Sequence, residues 1–443
     1  MKRSSLLLVG FVVIMAILLF PLTLERQNQG QPVDYFIDLP GPFHMPIKGD
    51  GFGFLLVSKD PNVMIHEGLR DTRPVMVLAA RWLGLALGHI EAIRDPPLDS
   101  SRFRTRKAPE LQPVATKVGA DVKPYFRFYV AYALINALLL IVAFQLLMRM
   151  AGPALPGGEV GYLAIGALLL LNVVIEDEFW SPHSQIFNVV GPVFLMALAL
   201  KVAENAAFFA SWRFPILALV GGLGVLAYGN MVIFWPVMLL GGAWGWRRKR
   251  WPWRRFIGQA LWASGAFVLP YLAWGSYLTM IQHGGWPLGE VGPAVQSRGY
   301  PHFWWMWHAV QKGAGAWVIY RIGENIGRIL LGGLQEGWHI LLVGGALGTL
   351  TIVRHGRAIG WMMLCRLAIG AGLFISMMVA LYFALMGFYP LRICFGVIPS
   401  VIVINAILYN VVQRDLSPRG RQIMGGLLAL VIGGVALFRY GQP

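Results

Sequence analysis

Charge is what this sequence has least of. Asp, Glu, Lys and Arg make up 13% of its 443 residues, against about 25% in an ordinary soluble domain. Hydrophobic residues reach 57%, and no soluble fold of this size can hide so much apolar surface. Cysteine is nearly absent. Cys365 and Cys394 lie in or beside apolar stretches, so neither a disulfide framework nor a zinc site is indicated. The motifs of familiar soluble chemistry are missing too: no Walker loop, no strand-borne GxGxxG, no HExxH, no CxxC and no GxSxG. No internal repeat is visible at helix-pair or half-chain spacing, which counts against a transporter built on inverted repeats. The N-terminal MKRSSLLLVGFVVIMAILLF has a basic start but no small-residue cleavage site, and reads as an uncleaved first helix.

What the sequence does have is apolar runs of about 20 residues, each ended by basic clusters or turn residues, the pattern of transmembrane helices. Lys and Arg outnumber Asp and Glu 37 to 21, and they concentrate in short connections: RRKRWPWRR (247–255), RHGR (354–357) and QRDLSPRGRQ (413–422). This is the positive-inside pattern of cytoplasmic loops in contact with anionic lipid, not a nucleic-acid surface. Loop charges predict an all-α polytopic membrane protein of about 11 transmembrane helices with a cytoplasmic N-terminus. The spans fall at about 5–24, 125–147, 160–175, 186–200, 214–228 and 231–246, then 257–280, 336–353, 367–387 and 391–412, with the last ending near residue 438. Two long outer segments result, 25–122 and 281–335. Within the first, RPVMVLAARWLGLALGHIEAI (73–93) reads as a helix on or dipping into the outer interface, its Arg73, Arg81 and Arg94 reaching headgroups. If it spanned instead, every later loop would invert.

The polar residues that remain gather on the predicted outer face. Asp50 lies in a Gly-rich turn, KGDGFGFLLVSKDP (48–61), before an amphipathic stretch; it is either a solvated turn residue or a reactive carboxylate. Glu176, Asp177 and Glu178 end the third span, where three carboxylates at a lipid boundary need water, a cation or a polar substrate. His183 adds an acid/base or ligand group nearby. In GFYPLRICFGVIPSVIVI (387–404), Tyr389 precedes Arg392, which opens an apolar helix. That guanidinium either snorkels to headgroups or clamps the phosphate of a lipid-linked substrate. In the second outer segment, His302, His308, Trp304, Trp305 and Trp307 form either an interfacial anchor or an aromatic floor for sugar or lipid.

In chain order these features resemble the GT-C superfamily of membrane glycosyltransferases, in particular bacterial members related to mannosyl- and arabinosyl-type transferases. The resemblance runs from the acidic outer loop at Asp50, through the Arg-Pro-led helix DTRPVMVLAARWLGLAL (71–87) and the Asn-bearing helix YALINALLLIVAF (132–144), to Glu176–Glu178 and the late Arg392–Pro399. It covers the order of features over most of the chain, with each motif short. Two departures stand out: the insertion 94–123, and RPVM where an aromatic-Pro usually follows the Arg.

The resemblance implies a polyprenyl-phosphate-linked sugar donor and a glycan, lipid or protein acceptor at the outer face of the inner (plasma) membrane. It implies Asp50 as base toward the acceptor hydroxyl. Arg392 would stabilise the departing phosphate, with Arg73, Glu176, Asp177, Glu178, His183 and Tyr389 binding substrate. Use of a divalent cation, Mg or Mn, varies in the superfamily; Asp50, Glu176, Asp177 and Glu178 are the candidate ligands. The alternative from another class is a transporter or flippase for a lipid-linked or anionic solute, which calls for charges near mid-membrane in broken helices.

Overall fold

The computed structural model describes residues 3–23, 35–38, 44–47, 49–67, 73–94, 96, 103–105, 123–204, 208, 211–249, 252–282, 304–355, 359–386 and 391–440. The first part of the chain runs α1 (Arg3–Leu19), β1 (Tyr35–Asp38), β2 (His44–Ile47), α2 (Gly49–Lys59), α3 (Pro61–Glu67), α4 (Pro74–Leu87), α5 (Glu91–Arg94) and β3 (Phe103–Thr105). The middle part is α6 (Lys123–Ala151), α7 (Glu159–Ala167), α8 (Val173–Glu178), α9 (Phe187–Glu204), α10 (Arg213–Ala227), α11 (Phe234–Lys249) and α12 (Trp253–Gln282). The last is α13 (Trp304–Gln311), α14 (Gly315–His355), α15 (Ile359–Met386), α16 (Leu391–Cys394), α17 (Pro399–Arg414) and α18 (Pro418–Tyr440).

The chain is a helical membrane protein. Among the described residues seven helices are long and apolar enough to cross a bilayer: α1, α6, α12, α14, α15, the α16–α17 unit and α18. Shorter apolar helices accompany them at α4, α9, α10 and the stretch leading into α11. Large apolar side chains face outward, such as Trp262 at 71%, Ile352 at 72% and Leu430 at 73% exposed. Water would not tolerate a surface so apolar; lipid requires it. Of the seven, the α16–α17 unit is the most deeply buried, as a helix apolar on all sides must be. It is wrapped by α14, α15, α9 and α6.

The structure departs from the all-α expectation in the first outer segment. β1 pairs antiparallel with both β2 and β3, giving a three-stranded sheet in the order β2-β1-β3. Register sets Tyr35 opposite Ile47 and opposite Thr105, so this sheet clips the distant 103–105 stretch back to the segment after α1.

A second departure corrects the amphipathic reading of the stretch after Asp50. That stretch is α2, and residues 51–58 are buried on every side. Third, α14 runs unbroken for 41 residues, about 60 Å at 1.5 Å per residue. That is twice the roughly 30 Å hydrocarbon core, so the 281–335 segment is helix from Gly315 onward. Arg321 and Arg328 flank Glu324 at 2.5 Å each, local support for the first half of that helix. Glycines let its second half pack closely. A Cβ on Gly333 would fall 2.5 Å from Val397 Cγ2, and one on Gly337 2.7 Å from Ile398.

Within 73–93 the main helix is α4, 14 residues or about 21 Å long.

Candidate functional site

The third predicted span is not continuous. α7 stops at Ala167, and five residues pass before α8 begins. Its irregular backbone is buried, with Leu168 to Leu171 at 0% exposure, so every carbonyl there needs a partner. Asn172 caps α8, its Oδ1 accepting from the Val174 and Ile175 N–H groups at 3.1 and 3.2 Å. His339 Nε2 donates to the Leu171 carbonyl at 3.1 Å, and the Tyr440 hydroxyl donates to Leu170. This break aims the three carboxylates of α8 in different directions.

Glu178 is 1% exposed and accepts from Arg392 Nη1 at 2.9 Å. Glu176 turns the other way, to Arg439 Nη1 at 3.0 Å, and Arg439 also reaches Glu336 at 3.0 Å. Asp177 is half-buried. The single acidic patch expected from EDE is therefore two separate arginine-bound groups. Among the described residues no three His, Cys, Asp or Glu side chains are grouped to hold a metal.

The loop after α8 is the hub of the site. Asn136 of α6 donates to the Phe179 carbonyl at 2.9 Å, and Trp180 Nε1 donates to the Leu19 carbonyl at 3.0 Å. The loop is thus tied to α6 and to the end of α1. His183, 2% exposed, accepts the Gln185 backbone N–H on Nδ1 at 3.1 Å and packs its ring against Phe54 of α2. With Nδ1 accepting, its proton sits on Nε2. Histidine here shapes the loop.

Arg73, just before α4, is engaged within the protein. It donates to Ser184 Oγ at 2.9 Å and stacks its guanidinium over the Tyr228 ring at 5.0 Å. Tyr228, in the turn between α10 and α11, donates its hydroxyl to Gln185 Oε1 at 2.7 Å. Asn188 Nδ2 shares that acceptor at 2.5 Å, and Asn230 donates to Asn188 Oδ1 at 3.3 Å. Arg73, Arg392 and Glu178 all lie within Coulombic reach of the Tyr228 hydroxyl, which burial keeps protonated by raising its pKa. Arg81, by contrast, is structural. It donates to the Ser58 and Lys59 carbonyls at the C-terminus of α2, where the helix dipole favours a cation.

Three expected site residues thus converge near Tyr228, namely Arg73, Glu178 and Arg392, while His183 sits in the adjoining loop beside Ser184. Glu176 stands apart in the Arg439 group. Asp50 is not in a turn but in the first turn of α2, and its side chain lies outside the described residues. Its neighbour Gly51 touches the hub: a Cβ there would fall 3.1 Å from Ser181 Oγ and 3.2 Å from Pro182. Tyr389 and His302 lie outside the described residues, as do the side chains of Trp304, Trp305, Trp307 and His308. Sequence reading missed Ser184, Gln185, Asn188, Tyr228 and Asn230. Polar residues flanking an apolar hairpin at YGN and opening the fourth span were the available signal.

The site is a buried, mixed-charge polar cluster at one end of a helix bundle. It offers two guanidiniums, one buried carboxylate, a neutral imidazole and a protonated phenol, a set suited to holding an anionic, hydroxyl-rich ligand. The chain matches no family model, no curated protein and no solved structure.

Proposed function

We propose that this chain is an eleven-span membrane glycosyltransferase of the GT-C type, moving a sugar from a polyprenyl-phosphate donor to an acceptor hydroxyl at the outer membrane face. The eleven spans are the seven long helices, the shorter α9, α10 and α11, and the broken α7–α8 pair. One observation carries the reading: Arg73, Glu178 and Arg392, from three distant segments, converge around Tyr228 at a single end of the bundle. Two guanidiniums near one tyrosine match the charge that appears on a departing lipid phosphate.

In the proposed reaction the acceptor oxygen attacks the anomeric carbon as Asp50 takes its proton. The bond from that carbon to the phosphate oxygen breaks, and its electron pair leaves with the polyprenyl phosphate, held by Arg392 and Arg73. Glu178 holds the Arg392 guanidinium in place; His183 and Gln185 face sugar hydroxyls. The test is a vesicle-reconstituted assay with a radiolabelled polyprenyl-phosphate sugar. Wild type transfers the label, and Arg392→Lys, which keeps charge but loses the fork, is slower by about 10²-fold or more. Movement of the intact lipid-linked sugar across the bilayer without its cleavage would establish the flippase reading instead.

A further inference from the structure

At the end of the bundle away from this site, α14, α15 and α17 leave a groove of about 370 Å³ between them. That volume falls at the small end of ligand pockets, which run to about 300–1,000 Å³. Its walls are almost entirely apolar, and three glycines of α14 make the space: Gly344, Gly345 and Gly348. Their roles differ. A Cβ on Gly344 would fall 2.6 Å from Asn405 Oδ1, so that glycine makes room for the amide. At Gly345 and Gly348 a Cβ would meet nothing within 4 Å. Those two are not packed against anything in the protein; their absent side chains are the groove.

Two polar groups break the apolar lining. Asn405 is 0% exposed and donates its amide to the Ile340 carbonyl at 2.9 Å, which fixes its orientation. Its Oδ1 is buried with no hydrogen-bond partner among the described residues, on the groove wall. A buried acceptor left without a donor is costly. The second group is Arg366, exposed at the groove's edge. Neighbouring Leu342 and Ile352 are 64% and 72% exposed, so the groove opens sideways toward lipid.

We propose that this groove binds a single-chain anionic lipid. Its phosphate pairs with Arg366, a free hydroxyl near the headgroup donates to Asn405 Oδ1, and its one chain lies over Gly345 and Gly348. A cation at the groove's edge, an orphan acceptor on its wall and an otherwise apolar lining match an anion, a hydroxyl and a hydrocarbon chain. The small volume selects one chain over two.

The experiment is native mass spectrometry of the purified full-length protein, titrated with lysophosphatidylglycerol, with lysophosphatidylcholine of the same chain, and with diacyl phosphatidylglycerol. One lysophosphatidylglycerol should bind per protein, about tenfold more tightly than either other lipid. Arg366→Gln should remove that preference over the choline lipid. An analogue lacking the sn-2 hydroxyl should bind several-fold more weakly. Gly348→Leu, whose Cβ meets no protein atom within 4 Å, should abolish binding while leaving the melting temperature unchanged. Equal binding of all three lipids overturns the proposal, as does undiminished binding to Arg366→Gln. Undiminished binding to a folded Gly348→Leu protein does so as well. None of these readings depends on sugar transfer.

Discussion

Glu176 and Glu178 stand two residues apart yet answer to different chemistry. Glu178 is buried against Arg392, so Glu178→Gln strips that arginine of a buried counter-charge. Breaking a buried pair costs about 3–5 kcal/mol, and the partial exposure of Arg392 puts this one at the lower end. Glu176 shares Arg439 with Glu336, so one carboxylate there is in excess. Glu176→Gln leaves Arg439 its Glu336 partner and should therefore melt closer to wild type than Glu178→Gln. Thermal melts of both variants check the contrast: a loss in Glu176→Gln as large as in Glu178→Gln would refute it. EDE showed in the sequence that carboxylates end a helix. Which arginine each one meets did not show, because those partners lie 214 and 263 residues away.

Elements were legible wherever hydropathy alone sets the fold. α1, α6, α12, α15 and α18 stand close to their expected places because a long apolar run has one stable form in lipid. Two elements hid. The third span breaks at Asn172 because its side chain, with His339 and Tyr440, supplies the hydrogen bonds that a helix would otherwise supply itself. No local pattern reveals partners contributed from α14 and α18. The start of α14 was hidden by its glycines and charges in GENIGRILLGGLQEG, which read as loop until they are seen packing on α16 and α17. Glycine at a helix contact is thus a packing choice, and it can be tested. At Gly222 of α10 a Cβ would run into the Phe267 backbone carbonyl of α12, whereas at Gly265 it would meet nothing. Gly222→Ala should destabilise by about 1–3 kcal/mol, while Gly265→Ala should be neutral or slightly stabilising. Equal melting temperatures for the two would mean that α10 and α12 are not so close.

The whole molecule has two polar ends and an apolar waist. One end gathers the hub after α8, Arg73, the Tyr228 turn, Arg392 and Arg439. The other joins the 151–158 turn to α17 and α18 through Tyr409, Asn410 and Arg421. Charge counting along the loops suggests which end faces the cytoplasm; side-specific labelling can decide it. Cys365 and Cys394 are both buried and can be replaced first. An impermeant maleimide should then label Lys312→Cys on intact cells, and Arg254→Cys only after permeabilisation. Labelling of both from one side would contradict the proposed arrangement. The candidate site was legible as residue types on one predicted face. Its wiring through Tyr228, Gln185 and Asn188 emerged only from the fold, because a neutral polar residue in an apolar helix carries no sign of what it bonds.

The central claim is that this cluster transfers sugar with Asp50 as the base. Its most direct test measures polyprenyl phosphate released from a polyprenyl-phosphate sugar by the purified, reconstituted protein, wild type against Asp50→Asn, with thermal melts showing both folded. The account predicts release together with an equal amount of glycosylated acceptor for wild type, and a loss of at least about 10²-fold for Asp50→Asn. Full release by a folded Asp50→Asn protein would contradict it.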